Sequence, residues 1–396
     1  MPIHSFFEKK RTWSRIKDEL LKAYLAPYLA KVSKTHKPII VADCFAGKGR
    51  FDDGEPGSPL IITEAISSQL SDLSSPEIKA IFIEKKYFRE LKTNLPAYHW
   101  INALEGDYQD RIEYFIRNYN PRQRNLFLYV DPYGIKNVLF SYFEAIAKKQ
   151  FRTVELLLNL NSLGFLREGC RLLKYPVSEH DLPDVYEHDV ITVERLDEIA
   201  GGQYWREILK EFYSHRLKMQ EAEEQFITKY CDRLRQVFRY VINIPIKTNL
   251  DNIPKYRMVF GTNHEDGLLL MVDNMNNRWA SFREEARDRQ SPLFECDLPD
   301  PNHLQAAWNI EENILSFIND EVELKELLVR LVEAFGISFS TRQYKEALKK
   351  MKGNQVDVRW YPPETPTGKP RSSWDHTTND FKIMISRRSG WQPSLL

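Results

Sequence analysis

Four acids in the N-terminal part of the chain stand where an apolar run stops. "PIIVAD" ends on Asp43, "IKAIFIE" on Glu84 and "RNLFLYVDPYG" delivers Asp131, while Asp107 follows a short apolar stretch, Ile101 to Leu104, in "EGDYQD". Apolar runs of this length bounded by turn residues read as buried strands. Ligands of open α/β sheets bind outside the carboxyl ends of such strands, so the acids fall where a ligand would lie. Gly47 and Gly49, in "DCFAGKGR", let backbone approach it closely. An acid after the second strand accepts from both hydroxyls of a ribose, an acid beside the glycine loop pairs with an ammonium, and Asp107 is placed to accept from an adenine amino group. A nucleoside carrying a charged amino acid uses all of these, and S-adenosylmethionine is such a molecule. Plainer readings stand beside each residue. A lone GxG is more often a turn, strands commonly end on a charge, Asp131-Pro132 is a common turn opening, and Asp107 is equally placed as an ordinary N-cap before "RIEYF". The order of the acids along the chain is what favours a ligand.

A dinucleotide is the competitor, because its fold also puts an acid after strand two. However, "DCFAGKGR" is not GxGxxG, and "FDDGEPG" separates it from the next helix start; Asp52, Asp53 and Glu55 in that insert would repel a pyrophosphate. No GK[ST] is present for a P-loop. The four cysteines, Cys44, Cys170, Cys231 and Cys296, form no CxxC pair, so neither a zinc site nor a disulfide framework is expected. Cys44, with no recognisable histidine partner, reads as a small buried residue rather than a nucleophile.

The elements that must hold these residues alternate. Trp13 to Ala30 is amphipathic at helical spacing, with a kink expected at Pro27. Ser58 and Pro59 read as N-cap and N1 of a helix to about Leu70. A helix from Tyr87 to Leu95, the helix "YFEAIAKK" and the strand "TVELLLNL" continue the pattern, which predicts an α/β domain with a mostly parallel sheet. Residues 163–230 break the alternation as a helical, polar-rich insertion. "VFRYVINIPI" and "YRMVFGT" then suit an antiparallel pair at a sheet edge, and Asn263 and Asp266 open a helix. The expected organisation is an α/β domain over 1–285, a proline- and charge-rich linker over 286–303, and a terminal domain over 304–396.

That last domain reads as helices Leu304 to Phe317 and Val322 to Phe335, then a helix opened by Ser340 with Gln343 at capping-box spacing. Strands "VDVRWY" and "FKIMIS" follow, joined by a long loop. Helices followed by a two-stranded ribbon with a basic loop describe a winged helix. The whole chain is neutral, with 56 Lys and Arg against 56 Asp and Glu, yet Gly336 to Leu396 holds eleven basic residues against five acids. A basic module on an otherwise acidic protein is an electrostatic footprint for a phosphate backbone. Arg342, Lys345, Lys349 and Lys352 on the helix, with Lys369 and Arg371 in the loop, are the expected nucleic-acid contacts; Trp374 either stacks on a base or packs under the loop. A winged helix is about as often a protein-docking module, so its shape alone decides little. No apolar run reaches transmembrane length and no signal-peptide core opens the chain, so a cytoplasmic protein without a membrane partner is expected.

"DCFAGKGR" resembles the D-x-F-x-G-x-G motif of nucleic-acid amino-methyltransferases, and "VDPYG" their later D-P-P-[YF] motif. Together, "FFEKKRTWSRIKDELLKAYLAPYL", "DCFAGKGRFDDGEPGSPLI", "VDPYGI" and "YRMVFGTNHEDGLLLMVDNM" resemble the three-Cys-motif partner family, TcmP, over about Phe6 to Trp279. The resemblance implies a class I methyltransferase-like, Rossmann-type fold, S-adenosylmethionine as cofactor, and a three-cysteine-motif protein as a partner. It implies that Asp43, Phe45, Ala46, Gly47 and Gly49 line the methionine end, that Glu84 takes the ribose, and that Asp107 and Tyr108 flank the adenine. Asp131, Pro132 and Tyr133 would face the target, the acid accepting from an exocyclic amine and the aromatic stacking on its base. Here the second proline of the motif is missing and Tyr133 sits one position early. Base-amine methylation, a different nucleophile and a catalytically silent fold therefore all stay open.

Overall fold

The computed structural model describes residues 10, 12–72, 74–117, 121–135, 137–176, 191–247, 252–289, 309–377 and 380–388. The chain divides into two compact units, Met1–His264 and Glu265–Leu396. The expected linker 286–303 falls almost entirely outside the described residues, as does the middle of the expected insertion.

The first unit is built on seven strands: β1 (Ile39–Asp43), β2 (Ile78–Glu84), β3 (Ile101–Glu105), β4 (Asn125–Val130), β5 (Thr153–Leu160), β6 (Tyr240–Ile246) and β7 (Tyr256–Thr262). They form one sheet in the order β3-β2-β1-β4-β5-β7-β6. The first five run parallel, while β7 inserts antiparallel to both β5 and β6. Strands β1 and β4 are buried along their whole length, which is why "IIVAD" and "NLFLYV" are continuous apolar runs rather than alternating ones. The strand order reverses between β1 and β4, so the crevice of this sheet opens beside Asp43 and Asp131.

Helix α1 (Thr12–Ser33) runs through Pro27 and buries Leu21, Tyr24, Leu25 and Tyr28. Its Tyr24 ring stacks on Phe127 and meets Phe260 edge-on, which fixes α1 on the β4/β7 surface. Helix α2 (Ser58–Leu70) starts one residue earlier than its sequence signal suggests: Gly57 is the N-cap and makes no side-chain cap. The Ser58 hydroxyl is committed to Asp43 instead, at 2.6 Å. Helices α3 (Phe88–Asn94), α4 (Tyr108–Arg117) and α5 (Phe140–Lys148) connect the parallel strands. The insertion contributes α6 (Ser162–Leu172), α7 (Val193–Ala200), α8 (Tyr204–Tyr213) and α9 (Met219–Leu234), whose Phe165, Trp205, Phe226 and Tyr230 extend the core around Leu128, Leu156 and Leu158. A bidentate Glu223–Arg257 pair, almost wholly buried, ties α9 to β7, and Ser162 donates to the same carboxylate.

The second unit holds α10 (Glu265–Arg289), α11 (Ile310–Ser316), β8 (Val322–Glu323), α12 (Leu324–Phe335), α13 (Thr341–Met351), β9 (Val356–Tyr361) and β10 (Lys382–Arg387). Its three strands pair antiparallel in the order β8-β10-β9. Sequence pattern puts α10 with the α/β domain. In the structure Asp273 takes the Thr341 N–H and hydroxyl, both at 2.6 Å, and Asn276 donates to the Ile337 carbonyl, so its bonds lie in the second unit. Val322 and Glu323 are extended rather than helical because they pair with β10. The capping box is present as spaced: the Ser340 hydroxyl accepts from the Gln343 N–H, and the Gln343 side chain accepts from the Ser340 N–H.

Candidate functional site

The donor side of the crevice is built from the loop after β1. Asp43 is fully buried; one oxygen accepts from the Phe45 N–H at 3.1 Å and the other from the Ser58 hydroxyl. Burial pushes its carboxyl up to about 7, against the pull of the Ser58 and Phe45 hydrogen bonds and with a further push from Asp131 and Glu84. Gly47 and Gly49 both adopt positive φ, 61° and 79°, which the tight loop requires. A Cβ at Gly49 would lie 3.2 Å from Leu91, so the close approach there is to α3. The Gly47 N–H donates to Glu84 at 2.8 Å, and the other Glu84 oxygen accepts from the Lys86 and Tyr87 N–H groups at 2.7 and 3.0 Å. Glu84 therefore clamps the glycine loop to the end of β2 and uses three of its roughly four acceptor positions.

Two acids of the insert "FDDGEPG", Asp52 and Asp53, have partners in the chain. Lys48 pairs with Asp52 at 2.9 Å, and Asp53 accepts from the Lys10 and Glu55 N–H groups. Asp107 is half-buried and pairs with Lys85 at 2.8 Å; its carbonyl accepts from the Arg111 N–H as α4 begins. The Tyr108 ring is buried between Phe45 and Tyr142, at 5.2 and 5.7 Å, and its hydroxyl has no partner among the described residues. Cys44 is buried and its thiol is pushed well up by that burial, which fits a packing residue rather than a nucleophile.

The acceptor side holds the residues that the sequence did not reveal. Asp131 accepts from Lys17 of α1 at 2.6 and 2.8 Å, from the Asn159 amide at 2.7 Å and from the Tyr129 hydroxyl at 3.3 Å. Lys17 is 6% exposed at its side chain. A carboxylate can only accept, so the Asn159 amide nitrogen must face Asp131. Its oxygen is left buried without a partner among the described residues. Pro132 is buried, Tyr133 is 38% exposed, and Gly134 at φ 84° turns the chain behind it. Just ahead of α1, Lys10 meets Asp18 at 2.7 Å and reaches the Pro56 carbonyl at 2.8 Å. Burial raises the Asp18 carboxyl to about 6, against the pull of Lys10 and Lys17. A signal existed: Ser14, Lys17, Asp18, Leu21, Tyr24, Leu25 and Tyr28 share one helical stripe, so polar residues stand where apolar ones would pack.

Asp43, Phe45, Ala46, Gly47, Gly49, Glu84 and Tyr108 thus gather at one end of the sheet. Asp131 is two residues past Tyr129, the β4 partner of Asp43, on a strand about 4.8 Å away. This donor set suits S-adenosylmethionine: a buried acid that a cation would ionise, a carboxylate with an acceptor position left, and a buried hydroxyl without a partner.

The six basic residues of the second unit do not behave alike. Arg342 is exposed and paired with Glu346 at 2.9 Å. Lys345 is half-buried beside His376; burial lowers its ammonium while Asp273 and Asp375 push it back up. It lies one helical turn before Lys349, and the two meet the same stretch of the loop, at His376 and Trp374. Lys349 and Lys352 stand over the rings of Trp374 and Trp360, at 6.0 and 4.6 Å. Lys369 is exposed, and Arg371 covers Phe381 and donates to the Glu364 carbonyl. Trp374 packs edge-on against Trp360 at 5.9 Å, under the loop.

No family model and no curated protein matches the sequence. Solved structures that are similar include spermidine synthase in complex with the transition state analogue AdoDATO, at 9% identity over 70% of this chain and 74% of that one, TM-score 0.31. A loganic acid methyltransferase with SAH matches at 11% identity over 97% and 96%, TM-score 0.28. The methyltransferase domain of a bacterial CtHen1 matches at 12% over 61% and 99%, TM-score 0.25. The sheet itself is mostly parallel, with one strand inserted antiparallel beside its edge, a Rossmann-like arrangement. The first unit has a methyltransferase-like fold. No described helix is long and apolar enough to cross a membrane.

Proposed function

We propose that this protein binds S-adenosylmethionine in the first unit and acts as a methyltransferase on nucleic acid, with the second unit as a winged helix that binds the substrate, in the manner of the TcmP family. The observation that carries this reading is the placement of Asp43 and Glu84 around the Gly47–Gly49 loop beside the point where strand order reverses. Asp43 would hold the ammonium, Phe45, Ala46, Gly47 and Gly49 the methionine chain, Glu84 a ribose hydroxyl, and Asp107 with Tyr108 the adenine. Bound, the cofactor supplies an electrophilic methyl group. Asp131, Pro132 and Tyr133 would orient the target, Asp131 taking its proton. In the second unit the order helix, helix, strand, helix, helix, strand, strand, with Lys369 and Arg371 in the loop between the last two strands, supports the winged-helix reading.

Calorimetric titration with S-adenosylhomocysteine tests the donor site. Binding is expected, weakened about 10-fold or more in Asp43→Asn and Glu84→Gln through the lost charge-assisted contacts. An absence of binding to the unaltered protein at millimolar ligand would sink the reading.

One observation favours a second reading, a non-catalytic or cofactor-sensing partner of a three-cysteine-motif protein. Lys17, Asn159 and Tyr129 already fill the acceptor positions of Asp131, so a target amine reaches that carboxylate only by displacing Lys17. Methyl transfer to nucleic acid, measured with and without the partner, separates the two.

A further inference from the structure

The surface of the second unit restricts which nucleic acid it can take. We infer that it docks on duplex DNA through phosphates alone, without reading sequence and without stacking on bases; this deepens the nucleic-acid reading above and rests on it. Single-strand binding relies on open aromatic platforms. Here the Trp360 and Trp374 rings meet edge-on, Lys352 and Lys349 stand over their faces, and the Trp360 indole N–H donates to the Ser373 carbonyl at 2.8 Å. Arg371 covers Phe381, and Tyr344 is fully buried. Among the described residues of this unit only Tyr361 is a well-exposed large aromatic, at 46%, and one ring is not a platform.

Base readout fails for a similar reason. Planar, bidentate groups read base edges. On the first turn of α13, Arg342 is paired with Glu346, and the Gln343 oxygen accepts from Ser340. Beyond Arg342, the basic side chain that stays exposed on α13 is lysine, a point charge suited to phosphate. Lys349 and Lys350 lie on the open face of α13, Lys352 just past its end, and Arg359 on the outer face of β9. Lys369 sits on a tight turn closed by the Gly368 N–H to the Thr365 carbonyl at 2.9 Å and the Thr365 N–H to the Lys369 carbonyl at 2.8 Å. The Lys349–Trp374–Trp360–Lys352 stack holds that loop beside α13, so the helix and loop form one charged surface. An eleven-residue helix is about 16 Å long and fits the wide major groove of B-form DNA but not the deep, narrow one of an RNA duplex.

Fluorescence anisotropy of the full-length protein tests this, with three unrelated 24-base-pair DNA duplexes, one of their single strands and an RNA duplex of matching sequence. The three DNA duplexes are expected to bind within about threefold of one another and at least 10-fold tighter than the single strand. With five phosphates contacted, the slope of log affinity against log salt is expected near −4 to −5. Lys350→Ala with Lys369→Ala should flatten it by about two and weaken all three duplexes alike; both residues are exposed, and an unchanged thermal melt checks the fold. Equal or tighter single-strand binding, tighter RNA binding, or a 10-fold preference for one duplex overturns the inference and leaves the nucleic-acid reading standing. No retention of any probe at 50 mM salt overturns both, whereas the calorimetric test of the donor site is independent of either.

Discussion

The residues at the sheet edge are held at an electrostatic cost that pH exposes. Native Asp43 keeps its proton up to about pH 7, against 3.8 for the ordinary side chain, and Asp18 up to about 6. Over the window between, these two groups hold protons in the folded state that the unfolded chain has released, so their contribution to stability falls as pH rises from about 4 to 7. Asp43→Asn keeps the acceptor for Phe45, can still pair with Ser58, and removes the ionisation; chemical denaturation across that range should show a flatter decline, by a few kcal/mol. A bound ammonium favours ionised Asp43, so S-adenosylhomocysteine affinity should rise with pH up to about 7 in the parent and stay flat in Asp43→Asn. The acceptor side gives a second test. Lys17→Met leaves Asp131 without its cation and should cost about 2–3 kcal/mol, because breaking a largely buried pair strands the partner charge. Adding Asp131→Asn should recover part of that loss in urea titrations; strictly additive losses would mean that the pair does not couple.

At the scale of elements, two serines next to helix starts do different work. Ser340 caps α13 through its hydroxyl, so Ser340→Ala should cost about 1 kcal/mol and speed hydrogen exchange in the first turn of that helix. Ser58 is the first residue of α2, after an N-cap that makes no side-chain bond, and its hydroxyl belongs to Asp43. Ser58→Ala should leave exchange in α2 unchanged while raising the Asp43 carboxyl further, seen as a shift of the pH-dependent step. Equal effects on both helices would contradict the assignment. The sequence signal for the two sites is similar, a serine ahead of an apolar-periodic run; what differs is whether a buried acceptor lies within reach.

For the whole molecule, the division into two compact units predicts two unfolding steps rather than one. A ligand on the first unit stabilises only the state it binds, by about 2.7 kcal/mol at a hundred times its dissociation constant. Scanning calorimetry with S-adenosylhomocysteine should therefore move one transition upward, and with duplex DNA the other. A single transition that both ligands shift equally would show that the units unfold together.

Most of the first unit was legible because its signals are local. The strands "PIIVAD", "IKAIFIE" and "NLFLYV" are long apolar runs, since a parallel strand is buried on both faces, and each ends on an acid or leads straight to one. The antiparallel pair from "VFRYVINIPI" and "YRMVFGT" was legible too, but not that β7 would slide between β5 and β6, because strand order depends on contacts distant in sequence. The capping box of α13 was fixed by two residues three apart. By itself the sequence therefore determined the alternation of elements, the row of acids and the basic terminal module. Only the tertiary structure decided who partners whom. Lys17 meets Asp131 across 114 positions, Asn159 reaches it across 28, and Arg257 meets Glu223 across 34. Such pairs are made by chain crossing in space, where a buried charge must find its counter-charge, and no periodicity along the chain records that choice.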